Sequence, residues 1–210
     1  KEIDDVQSIF AQDVDVTIEL KAKVRPIRGL GRDAEIKAER ITWKLGQLVG
    51  GSEQVLLAEI EAPGDLATSE HAVGIVRIGY RATDSGEQVS RTEAITLGAS
   101  ASPDAIERTL NAEVMRDVTL LTSREKKEQA IKLRDAGRIE EARKVFEDNA
   151  GEIDRQAAKY KFKLEGQVQV EQEANRAAAS PSAATTDGWN RQRKVIRGQD
   201  SNASGASVRY

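Results

Sequence analysis

Residues 14–20, VDVTIEL, alternate without a fault: Val14, Val16, Ile18 and Leu20 fall on one side of an extended chain, Asp15, Thr17 and Glu19 on the other. That period of two belongs to a half-buried strand, one face on a core and one in water. Runs of the same kind follow at KVRPI (23–27), ITWKL (41–45), EQVLLAEIEA (53–62), AVGIVRIGYRA (72–82) and QVSRTEAITL (88–97). Between them stand turn formers, Gly50-Gly51, Pro63-Gly64-Asp65 and Asp84-Ser85-Gly86. Short turns without intervening helices imply antiparallel pairing, so residues 1–100 are expected to form an antiparallel β-sandwich. Pro26 cannot donate to a ladder and assigns its strand to an edge or a bulge. Val16, Ile18, Trp43, Leu57, Ile75 and Ile78 are the expected core, because each lies in a run that a sheet buries on one face only.

At Ser102-Pro103-Asp104 the period changes. Ser102 suits a helix N-cap, Pro103 the first helical position, and Asp104 the positive end of the helix dipole. Ile106, Leu110, Val114, Val118 and Leu121 then recur at helical spacing, and the same helix is expected to run on through Ile131 and Leu133. Gly137 fits the C′ position that ends it. Beyond it, Ile139, Ala142, Phe146, Ala150, Ile153, Ala157 and Tyr160 recur at spacings of three and four, the stripe of a second helix folded back antiparallel. Residues 101–178 are thus expected to be a helical hairpin with a short third helix after Leu164, making the chain α+β. Leu110, Val114, Val118 and Leu121 should meet Phe146, Ile153 and Ala157 across it.

The stretch AAASPSAATTDG is built of small residues that bury little, and 179–188 reads as a linker. The tail to Tyr210 reads as mobile, and residues 179–210 hold five basic side chains against two acidic, concentrated in RQRKVIR (191–197). Residues 1–100 hold 12 basic against 17 acidic, so the tail has an acidic surface available on its own chain. Trp189 lacks an apolar pattern around it. With Arg191, Arg193, Lys194 and Arg197 it forms the candidate partner-binding set, for a protein groove first and for a membrane interface or single-stranded nucleic acid second.

Composition removes several kinds of chemistry. There is no cysteine, hence no disulfide, thiolate nucleophile or cysteine-ligated metal. His71 is the sole histidine, with no evident partner for catalysis or metal binding. Pairs such as Glu140-Glu141 sit on a solvated helical face, where pairing with Lys144 accounts for them. Gly29-Leu30-Gly31 does not complete a phosphate-binding loop and reads as a turn. The formal net charge of −3 is too near balance to make nucleic acid a partner of the chain as a whole. No catalytic site, cofactor or metal is expected, and no apolar run reaches the length of a membrane span.

SIFAQDVDVTIEL (8–20), ITWKLGQLVGGSEQVLLAEIEAP (41–63), IGYRATDSGEQV (78–89) and NAEVMRDVTLLTSREKKEQAIKLRDAGRIEEARKVFEDN (111–149) occur in this order. The series resembles the region that follows the von Willebrand factor type A domain in bacterial proteins, some labelled calcium-activated chloride channel homologues. The resemblance implies a β module and a helical hairpin that support an upstream adhesion domain, in an extracytoplasmic or membrane-tethered parent. It does not carry over metal binding, because the D-x-S-x-S string of the adhesion site is missing here. AIKLRDAGRIEEARKVFEDNA (130–150) also resembles half of a tetratricopeptide unit, and one copy is not an array. The function expected is that of a non-catalytic structural and protein-interaction module whose partners include that upstream domain. The alternative is nucleic-acid or anionic-surface binding through the tail.

Overall fold

The computed structural model describes residues 9–51, 53–64 and 71–205, with side-chain environments through residue 198. Asp65 of the expected turn lies outside the described residues. The chain is α+β, and its contacts divide it between Ile106 and Glu107 into a β unit and a helical unit.

The β unit contains β1 (Ile9–Leu20), β2 (Arg25–Leu30), β3 (Glu35–Lys37), β4 (Arg40–Val49), β5 (Leu57–Glu61), β6 (His71–Ala82) and β7 (Gln88–Leu97). Five of them form an antiparallel sheet in the order β3-β4-β1-β6-β7, and β2 pairs with β5 in a second, two-stranded sheet. The alternation of residues 14–20 places β1 at the centre. Val16 faces Trp43 on one neighbour and Ile78 on the other, and Ile18 faces Ile41 and Val76. Trp43 and Ile41 are buried there, and Leu56, Ala58 and Ile60 from the β5 region pack on the same cluster. A second cluster gathers Leu20, Val24 and Val73.

β1 keeps its alternation only by absorbing a bulge. The register shifts around Val14, and Asp13 takes φ +53°, so Ala11 and Val14, three residues apart, are both buried. In β2, a register shift falls between Pro26 and Arg28, where the missing N–H interrupts the ladder.

Three core expectations need correction. Ile75 lies opposite Glu19 and is half-buried on the far face, because the core face of β6 is set by Val76 and Ile78. Ile78 occupies that face but remains 36% exposed. Leu57 is half-buried, while its neighbours Ala58 and Ile60 join the Trp43 cluster. β3 is three residues long, too short for its alternation to register in the sequence.

The helices are α1 (Pro103–Thr109), α2 (Ala112–Asp135), α3 (Ile139–Tyr160), α4 (Gly166–Ala179) and α5 (Thr186–Gly205), with a 3-10 turn at Pro181–Ala184. The expected single helix from Pro103 breaks at Leu110–Asn111. There Asn111 Oδ1 accepts from the backbone N–H groups of Glu113 and Val114 at 2.9 and 3.2 Å and caps α2. At the other end Gly137 has φ +78°, Gly137 N–H donates to Arg134 O and Arg138 N–H to Leu133 O. These two bonds satisfy carbonyls the helix would leave open and turn the chain into α3. α2 packs on α3, α4 on both, and α5 on α4 and the 3-10 turn. α3 continues through Gly151 and buries Ala142, Phe146, Ala150, Ile153 and Ala157 of its stripe, while Ile139 at its start is exposed and Tyr160 at its end half-buried.

The stripe assigned to α2 does not hold. Leu110 and Val114 are 39% and 44% exposed, and Val118 and Leu121 are half-buried. The buried face is Thr119, Leu120, Ser123, Lys127 and Ala130, mostly polar and invisible to an apolar period. As far as Gly205 the linker and mobile tail also require correction, and residues 206–210 of the tail lie outside the described residues. Thr185 Oγ1 accepts from Gly188 N–H at 3.1 Å and starts α5. Trp189 and Ile196, seven residues and about two turns apart, join Ala130, Ala142, Phe146 and Ala178 in one buried cluster.

Candidate functional site

The five candidate residues divide by the face of α5 they occupy. Trp189 is 7% exposed, its ring tilted against Phe146 with centroids 6.1 Å apart. The Arg134 guanidinium carbon stands 5.6 Å from the Trp189 ring centroid. Its Nη2 also donates to the carbonyls of Ala183 and Ala184 at 3.0 and 2.8 Å. One residue along α2, Asp135 accepts from Arg193 Nη2 at 2.6 Å. The last turn of α2 is therefore the seat of α5: a cation over the indole, two bonds to the preceding turn, and an ion pair beyond. Trp189 and Arg193 serve this intramolecular docking, which corrects their reading as partner contacts. Arg191, Lys194 and Arg197 are exposed, with Val195 between them at 50% exposure.

A second cluster, which the sequence did not signal, lies between α2, α3 and α4. Lys127 Nζ donates to Glu171 Oε2 at 2.8 Å, with side chains 1% and 6% exposed. Ser123 Oγ donates to Glu171 Oε1 at 3.2 Å. Asn149 Nδ2 donates to Asn175 Oδ1 and to Ser123 O, and Asn175 Nδ2 donates to Glu171 O and Oε1. A buried charge persists only when it is paired and its remaining lone pairs are filled, and both conditions hold here. Both carboxylate oxygens accept hydrogen bonds from neighbours and Arg124 Nε stands 4.0 Å from Oε2, which suits a structural lock between three helices.

In the β unit, Glu19, Leu20, Glu35, Lys37, Ala38, Glu39, Arg40 and Thr42 line an open cleft of about 540 Å³. Its charges are largely internally matched: Arg40 pairs with Glu19 at 2.8 Å, and Lys37 with Glu35. The hydrogen bond and charge of Lys37 hold the Glu35 carboxyl below the usual glutamate range. His71 opens β6 opposite Leu97. Glu140 pairs with Arg143 and Glu141 with Arg138, each three residues away, rather than with Lys144. Gly29 and Leu30 belong to β2, and only Gly31, φ +74°, makes the turn. Among the described residues no group of three potential metal ligands comes together, and no helix is long and apolar enough to cross a membrane.

Comparison with known proteins adds little to this geometry. No family model and no curated protein matches the chain. Among solved structures it is similar to the ArnB paralog VWA2 from Sulfolobus acidocaldarius, at 12% identity and a TM-score of 0.44. The match covers 80% of this chain and spans 38% of that one.

Proposed function

We propose that this chain is a non-catalytic structural and protein-interaction module of a larger polypeptide, adjoining a von Willebrand factor type A-like domain. In this reading the two sheets close as a sandwich, and α2 with α3 is the helical hairpin that carries α4 and α5. The observation that supports an interaction role is the orientation of α5. With Trp189 and Ile196 inward and Arg193 tied to Asp135, the helix is fixed, and Arg191, Lys194 and Arg197 stand on its solvent face. A pre-ordered basic face binds an acidic protein surface without the cost of ordering a tail.

The same face favours a second reading, binding of nucleic acid or an anionic surface. A salt titration with a labelled single-stranded oligonucleotide separates them. Three phosphate contacts would make log K fall with log salt at a slope of about −2. The interaction-module reading expects no saturable oligonucleotide binding at physiological salt. Tight binding with that slope, abolished by R191A/K194A/R197A, would replace it.

A further inference from the structure

We propose that β7 is a self-complementary edge through which two copies of this chain join their five-stranded sheets into one. The inference is independent of the α5 face. β7 is ten residues long and, among the described residues, pairs with β6 only, whereas the opposite edge of the sheet, β3, is three residues long. A long unpaired edge strand is a template for another strand.

The hydrogen-bond pattern tells which β7 residues offer that template. Lys21 N–H donates to Val73 O, so the odd residues of β6 turn their backbone polar groups toward β1 and the even ones toward β7. Ala82 N–H donates to Glu87 O, consistent with that parity. Through the register Val76↔Glu93, Ile78↔Arg91 and Tyr80↔Val89, the odd residues of β7 are bonded to β6. Ser90, Thr92 and Ala94 therefore point their N–H and C=O groups at the open edge.

An antiparallel copy centred on Thr92 uses these groups and no others. Thr92 meets Thr92 of the second copy, and Ser90 meets Ala94. On the odd-numbered face, Arg91 then stands opposite Glu93 and Val89 opposite Ile95, in each direction across the two-fold axis. Arg91 and Glu93 are exposed, and Val89 and Ile95 are half-buried. Charges on an edge strand ordinarily repel a newcomer, but this order of signs around Thr92 makes the strand attractive to itself. A two-fold contact of this kind closes on itself at the dimer.

Sedimentation velocity of the 210-residue chain, from micromolar to submillimolar concentration, tests the proposal. The wild-type chain is expected to dimerise. Thr92→Pro removes an outward N–H and no bond to β6, and is expected to be monomeric with unchanged circular dichroism. Arg91→Glu sets carboxylates opposite Glu93 of the second copy and should raise the dimer Kd by about tenfold. The exchange R91E/E93R should restore it. If Thr92→Pro does not fold, the charge series decides. A wild-type chain that stays monomeric throughout, or a dimer indifferent to Arg91→Glu, would overturn the proposal.

Discussion

The guanidinium of Arg134 lies over the indole of Trp189, 5.6 Å from its centroid, so a residue of α2 holds the first turn of α5. Trp189 also meets Phe146 of α3, making it the point where three helices converge. Trp189→Ala and Phe146→Ala should each lower the unfolding free energy by about 3–5 kcal/mol, the usual cost of emptying a buried aromatic site. Urea titration of both single variants and the double variant checks this. The double variant should fall short of additivity by about 0.5–1.5 kcal/mol, the coupling of a contacting aromatic pair.

Gly188 allows α5 to start where it does. A β-carbon there would fall 1.8 Å from the carbonyl oxygen of Ser182, a backbone atom that cannot rotate away. Gly188→Ala should therefore dislodge α5, with a loss of helical circular dichroism and a red shift of tryptophan emission. The control Gly198→Ala, whose β-carbon meets nothing within 4 Å, should leave both unchanged or slightly raise the helicity.

The Lys127–Glu171 pair should behave asymmetrically. Lys127→Met removes the cation bonded to buried Glu171 and leaves only Arg124, whose Nε stands 4.0 Å away; the loss should cost about 3–5 kcal/mol. The double replacement K127M/E171M removes both charges and should recover most of that loss, because two desolvated ions give way to apolar volume. Thermal unfolding of the single and double variants compares the two. A single variant as stable as the wild type would mean that the pair is solvated.

How far the sequence discloses this fold depends on which force placed each residue. Alternation in β1 is visible because hydrophobic burial alone fixes it, and Gly137 because only glycine readily takes φ +78°. The buried face of α2 is not visible: Ser123 and Lys127 look solvated until Glu171 and Asn149, distant in sequence, arrive to satisfy them. α5 escapes for a different reason. Its anchors are two residues seven apart, and Ala178 and Ala183 are buried through close approach, which a composition of small residues presents as a linker. Of the candidate binding residues, Trp189 stands apart in the sequence because no apolar pattern surrounds it. Its role reverses because Arg134 and Phe146, the surfaces it needs, lie within the same unit.

On the proposed reading, α5 presents Arg191, Lys194 and Arg197 to the acidic surface of a protein partner. Zero-length carbodiimide coupling of the protein in the cells that produce it, followed by mass spectrometry, joins the Lys194 amine to any carboxylate in direct contact with it. The expected link runs from Lys194 to an aspartate or glutamate of that partner, abolished by Lys194→Arg and weakened by R191A/R197A. Links from Lys194 confined to carboxylates of this chain, while its other lysines couple to other proteins, would overturn that reading.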